Sequence, residues 1–174
     1  NIVCITDMYE YIDNEVDCIG IDSKSIILDA VSFLAEKGHR DILFINGNYE
    51  EYLKGGIRLA AFKEAMTKNG IPINEKLIKN GLWDFESGYK IVEDVFGKEK
   101  FPAIFAANDK MALGALNFLL SKGVKVPSEI AVIGYDDIDV AQYANPPLST
   151  VHLPVEELGK AAVITYMHRK NNDY

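Results

Sequence analysis

Residues 101–137 read FPAIFAANDKMALGALNFLLSKGVKVPSEIAVIGYDD, and the order of apolar and polar residues along this stretch decides the fold. Ala103, Ile104, Phe105 and Ala106 form a short unbroken apolar run, the pattern of a parallel strand covered by helices on both faces. The run ends at Asn108 and Asp109. Met111, Ala115, Leu116, Leu119 and Leu120 then recur at helical spacing, and Gly123 supplies the stop signal. Residues 130–134 form a second apolar strand that delivers Tyr135, Asp136 and Asp137 at its carboxyl end. In open parallel sheets ligands collect outside those carboxyl ends, so Asn108 and Asp136 are expected as neighbours on one rim.

The same alternation extends on both sides. Asp22 or Ser23 caps a helix whose apolar face is Ile27, Leu28, Val31, Leu34 and Ala35, ending at Lys37 and Gly38. A strand follows at 42–45, then a polar loop, 46–53, and a helix to about Lys68 that carries Ile57, Ala61, Ala65 and Met66 and closes at Asn69 and Gly70. Leu77 and Ile78 suggest a short strand, and Asp84 caps a helix over 85–96 with Ile91, Val92, Val95 and Phe96 inward. Strands alternating with helices in this way predict an α/β fold with a doubly wound parallel sheet. The ends differ. Residues 1–5 and 18–21 are candidate strands joined by an acidic loop around Asp13 and Asn14, while 148–151 reads as extended and 155–167 as helical. Neither end completes a strand–helix–strand unit, so both are expected to be remnants of a second lobe.

Composition removes several classes of function. The chain has 174 residues, 48% of them apolar, enough for one good core or one core and part of another. Its 26 acidic and 18 basic residues leave a net charge of -8, a poor nucleic-acid surface. No apolar run reaches the roughly 20 residues of a membrane helix, and the first residues lack a secretion signal, so no membrane contact and a cytoplasmic location are expected. Cys4 and Cys18 lie in apolar runs and read as buried free thiols. The three histidines lack metal-ligand spacing, so neither a metal nor another cofactor is expected.

Gly38-His39-Arg40-Asp41-Ile42, Arg58-Leu59-Ala60-Ala61-Phe62, Asn108-Asp109 through Gly114-Ala115-Leu116, VPSEIAVIGYDD and Pro146-Pro147-Leu148-Ser149-Thr150-Val151 occur in an order and spacing that resembles the lactose/galactose repressor family. The resemblance covers nearly the whole chain. It implies a fold like that of periplasmic sugar-binding proteins, two doubly wound lobes with the ligand between them. On that pattern residues 1–21 are part of the first lobe, 22–150 the second, effector-binding lobe, and 151–174 a return helix of the first. The DNA-binding head and hinge that precede the first lobe in the family, and a final strand, are expected to be absent from this chain.

Four residues are expected to touch the ligand. Arg58 stands near the start of a helix, where a cation is not favoured by the helix dipole, and its planar fork suits two adjacent hydroxyls. Asn108 offers a donor and an acceptor, with helix capping as its structural alternative. Asp136 is the acceptor, which the resemblance favours over Asp137. Trp83, the single tryptophan, lies in a polar turn and suits stacking on an apolar sugar face or a heterocycle. Residues 48–52 are expected to add contacts. Ala61 stands where the family commonly has glycine, and His39 and Arg40 read as structural. No nucleophile, metal set or phosphate-cradling loop accompanies the carboxylates, so catalysis is not expected.

The resemblance implies a switch. A small effector, a sugar, phosphosugar or nucleobase, would favour one orientation of the lobes and shift affinity for operator DNA, which only a helix-turn-helix outside this chain would touch. It also implies a homodimer, with Leu113 and Tyr143 as candidate anchors. The alternative is a solute-binding protein of a sugar transport system, which shares the fold; the Gly-His-Arg and Pro-Pro-Leu-Ser-Thr-Val motifs argue against it.

Overall fold

The computed structural model describes residues 2–7, 16–48 and 53–171. Two short parallel strands open the chain, β1 (Val3–Asp7) and β2 (Asp17–Ile21). Then follow α1 (Ser23–Glu36), β3 (Ile42–Asn46), α2 (Leu53–Lys68), β4 (Ile78–Asn80), α3 (Phe85–Val95), β5 (Ala103–Ala106), α4 (Asp109–Ser121), β6 (Ala131–Asp136), β7 (Ser149–His152) and α5 (Val155–Asn171). Strands β3 to β7 form a parallel sheet in the order β4-β3-β5-β6-β7. The order reverses between β3 and β5, because the chain leaves β3 for β4 on one side and returns to β5 on the other. That reversal is the switch point at which doubly wound sheets open a crevice.

The local reasons for these elements are visible. Asp22 caps α1 by accepting from Ser25 N at 3.0 Å, Asp84 caps α3 by accepting from Ser87 N at 2.7 Å, and Asn108 caps α4 by accepting from Met111 N at 2.9 Å. At the other end of α2, Arg40 donates to the Gly70 carbonyl at 2.7 Å, so Arg40 serves the helix terminus as its position suggested. Strands β3 and β5 are buried along their whole length, which is why they read as continuous apolar runs. Phe44 on β3 stacks on Phe62 of α2 with ring centroids 4.3 Å apart, and Phe105 on β5 lies 5.6 Å from Phe44. Ala61 is buried in the same core.

Helix α1 packs against α2, and α3 against α4. The second contact is unusually close. A β-carbon on Gly88 would lie 2.1 Å from the Met111 carbonyl oxygen, and one on Gly114 would lie 2.0 Å from the Phe85 carbonyl oxygen. Each helix thus presses its backbone into a glycine of the other. This fixes the separation of their N-termini, where Trp83 and Asn108 stand.

The small sheet stands apart. Among the described residues β1 and β2 pair only with each other, and α5 packs against both, tied by Arg169, whose Nη2 donates to Asp17 Oδ1 at 2.9 Å while its Nε meets Oδ2. No described side chain of α5 is fully buried; Val163, Ile164 and Met167 are exposed.

Three expectations change. The short strand is β4 at Ile78–Asn80, because Asn74 caps a single 3-10 turn, Glu75–Leu77, and Leu77 is spent anchoring that turn in the core. β6 runs on to Asp136, so that residue is the last of the strand. Neither Cys4 nor Cys18 forms a disulfide, but they are register partners across β1 and β2, and neither is buried: Cys4 is half-buried and Cys18 exposed, at the two-stranded sheet that the main core does not cover. The loop at Asp13 and Asn14 lies outside the described residues.

Candidate functional site

The carboxyl ends of β3, β4, β5 and β6 bring the four nominated residues to one rim. Arg58 stands in the second turn of α2, beyond the strict helix start that the sequence suggested, and is only 8% exposed. Its Nη1 donates to the carbonyl of Ala107, the residue that follows β5. The guanidinium carbon lies 4.3 Å from the centre of the Tyr135 ring and 5.5 Å from that of Trp83, within cation–π range of both. Its Nε is buried with no hydrogen-bond partner, and no carboxylate pairs with it among the described residues. A buried guanidinium is expensive unless its donors are satisfied, so this N–H is poised to donate to an acceptor.

Trp83 precedes the cap of α3 and adopts φ +63°. Its carbonyl accepts from Asn108 Nδ2 at 3.0 Å, and its indole Nε1 is buried without an acceptor among the described residues. Asn108 is 8% exposed and spends its Oδ1 on the α4 cap and one N–H on Trp83. The structural role foreseen for it is therefore real; the second N–H of its amide is what it has left to offer a ligand. Asp136, half-buried, adopts φ +119°, and Asp137 follows at +55°. Left-handed backbone in residues other than glycine is strained, and such strain gathers at functional sites. Asp137 Oδ2 is taken by His152 Nδ1 at 2.7 Å.

Several contributors escaped the sequence reading. Tyr135 reads as the polar end of an apolar strand, yet it is fully buried beneath Arg58, and its hydroxyl meets Ser23 Oγ at 2.9 Å at the start of α1. Asp109 is completely buried; its Oδ2 accepts from Ile138 N at 2.9 Å and its Oδ1 from Thr150 Oγ1 at 2.5 Å, which holds β6, β7 and α4 together behind the rim. Gly47, at the end of β3, lies under the Trp83 ring. The pairing of Asn and Asp at 108 and 109 was the available signal for Asp109; nothing in sequence marks the other two. Of the anticipated 48–52 contacts, residues 49–52 lie outside the described residues. Among the described residues no three His, Cys, Asp or Glu side chains converge as a metal site. The proposed dimer anchors are placed differently from one another: Tyr143 is 80% exposed, whereas Leu113 is half-buried against the core.

Comparison with known proteins identifies the architecture. Residues 31–173 match the model of the periplasmic binding protein-like domain. The chain is 41% identical over 146 residues to the HTH-type transcriptional regulator AscG of Escherichia coli K12, covering 83% of this chain and 43% of AscG. The crystal structure of the E. coli repressor AscG superposes with a TM-score of 0.88 at 36% identity, over 96% of this chain and 60% of that one. A complex of the transcriptional regulator CelR with cellobiose superposes at 0.86 and 30% identity, over 99% and 53%. The chain thus spans under half the length of the curated regulator it matches. No described helix is long and apolar enough to cross a membrane. The chain belongs to the periplasmic binding protein-like domain family, in the form carried by transcriptional regulators of the lactose/galactose repressor family.

Proposed function

We propose that this chain is the effector-binding region of a cytoplasmic transcriptional regulator, and that its ligand, a sugar, phosphosugar or nucleobase, sits on the rim formed by Arg58, Trp83, Asn108 and Asp136. The observation that carries this reading is Arg58: a nearly buried cation, stacked on Tyr135, with an N–H that finds no acceptor among the described residues. A ligand oxygen or ring nitrogen completes it. The strained backbone at Trp83, Asp136 and Asp137 supports the same place, as does its position at the switch point of the sheet. The cellobiose complex of CelR supports a sugar among the three ligand classes.

In this reading β1, β2 and α5 belong to another lobe, whose remaining elements cover the exposed Val163, Ile164 and Met167. The effector binds between the lobes and acts through its difference in affinity for their two orientations. The regulator contacts operator DNA through a helix-turn-helix outside this chain and works as a homodimer, with exposed Tyr143 and Val140 at the interface and half-buried Leu113 as a second anchor. The relatives described are transcriptional regulators, which favours this reading over solute transport.

Calorimetric titration of the intact protein with cellobiose, glucose 6-phosphate, ribose and hypoxanthine tests it. One of these is expected to bind, and Arg58→Lys, which keeps the charge but loses the planar fork, to weaken it by at least about tenfold, 1.4 kcal/mol. Binding unaffected by Arg58→Lys would place the ligand elsewhere.

A further inference from the structure

The Trp83 indole rests on Gly47 so closely that a β-carbon at position 47 would lie 1.7 Å from Cζ2, 2.0 Å from Cε2 and 2.2 Å from Cη2 of the ring. Backbone conformation does not ask for glycine there, because the glycines in the left-handed region are Gly38, Gly70, Gly97 and Gly123. Close approach does. The ring has no indole hydrogen bond among the described residues to choose its position, so its depth is set by what it rests on. The hydrogen-bonding and capping restraints act on the backbone, where Asn108 holds the Trp83 carbonyl and Asp84 begins the helix directly after it, and Arg58 meets the ring only by a cation–π contact at 5.5 Å.

We propose that Gly47 is a positioning residue for the effector site, setting the depth of the Trp83 indole and so its distance from the Arg58 guanidinium, now 5.5 Å from the ring centre. The proposal rests on the reading of this rim as the effector site. A methyl group at position 47 requires the ring to retreat from β3 by about 1.7 Å before reaching an ordinary contact of 3.4 Å. An aromatic wall displaced that far no longer presents the surface on which a flat ligand face stacks.

Trp83 is the only tryptophan of this chain, and subtracting the emission of the Trp83→Phe protein isolates the signal of this ring. In the ligand-free intact protein, Gly47→Ala is expected to shift the emission to the red and to raise acrylamide quenching at least about twofold, because the buried Nε1 is uncovered. A double-mutant cycle separates this from a general loss of stability. Phenylalanine at position 83 lacks the benzo edge that meets Gly47, so Gly47→Ala is expected to lower the urea midpoint in the Trp83 protein and much less in the Trp83→Phe background. Unchanged emission and quenching in folded Gly47→Ala, or equal losses in the two backgrounds, would overturn the proposal. The titrant from the four-compound panel that binds the parent is expected to bind Gly47→Ala at least about tenfold more weakly. Equal affinity despite a displaced ring would overturn the positioning role and leave the effector site standing. A panel in which nothing binds, with emission and cycle as expected, would refute the effector site instead and leave the seat of Trp83 on Gly47 intact.

Discussion

Replacing Asp109 by alanine is the perturbation whose cost the structure specifies most closely. The side chain is fully buried and accepts two hydrogen bonds, from Ile138 N and Thr150 Oγ1. Alanine removes both acceptors and leaves two polar hydrogens facing a gap that the fold shaped for a carboxylate. An orphaned buried donor costs about 1–3 kcal/mol; both donors here are part-buried and the Thr150 hydroxyl can turn to the Val151 carbonyl, so Asp109→Ala is expected to destabilise by about 2–3 kcal/mol, still a large part of the 5–15 kcal/mol typical of a whole domain. Asparagine keeps one acceptor and turns an amide N–H₂ toward the other donor, so Asp109→Asn is expected to lose about half as much. Urea unfolding of the three proteins measures the midpoints, with unchanged slopes confirming that the folded states are comparable. Amide exchange gives an independent view: the amide of Ile138 and those of β7 should lose protection before those of β3, because Asp109 is what fastens them to α4. A loss below about 0.5 kcal/mol for Asp109→Ala, the range of ordinary surface changes, would refute the assignment of Asp109 as the fastening group.

Three other consequences are open to direct test. Hydrogen bonds from Ser87, the backbone N–H first, hold the Asp84 carboxyl below its ordinary pKa of 3.8. A lowered folded value means that the stabilisation is fully present above the ordinary value and fades as pH falls through the folded one; Asp84→Ala is expected to cost about 1 kcal/mol at neutral pH, and Asp84→Asn to keep the cap while flattening the acid limb of a melting-temperature profile. Gly88→Ala and Gly114→Ala each force a methyl into the facing backbone of the α3–α4 pair, and thermal melts should show losses of about 1–3 kcal/mol; because the two helices carry Trp83 and Asn108 at their starts, either change should also alter Trp83 emission. Tyr135→Phe leaves the ring beneath Arg58 but strands the buried Ser23 hydroxyl, and chemical denaturation should report a loss of about 1–2 kcal/mol.

The parts of this molecule that sequence made readable are those where one physical signal dominates. β3 and β5 are buried on both faces, so their residues are apolar without interruption, and Asp22, Asp84 and Asn108 announce helix starts because few other side chains satisfy the first-turn N–H groups. The placement of Arg58, Trp83, Asn108 and Asp136 on one rim follows from the parallel order, which sends every strand's carboxyl end to the same side. β4 was misplaced because only three residues pair and Leu77 belongs to the preceding turn. Tyr135 and Gly47 were invisible for another reason: their roles are contacts across the fold, a ring beneath a guanidinium and an absent β-carbon beneath an indole, and neither leaves a periodic trace. Asn108 shows the limit of residue chemistry alone, since capping and ligand contact call for the same amide.

The central claim is that the buried guanidinium of Arg58 and the indole of Trp83 are completed by a small ligand, and nitrogen-resolved NMR of the intact protein reads both donors directly. The Trp83 indole N–H is identified by its loss in Trp83→Phe, and the Arg58 Nε–H by its loss in Arg58→Lys. On titration with the four compounds, the account predicts that one of them moves both signals together, saturably and with a single dissociation constant. A compound that binds and shifts backbone amides elsewhere while both of these signals stay still, or a folded protein in which no compound moves either, would contradict it.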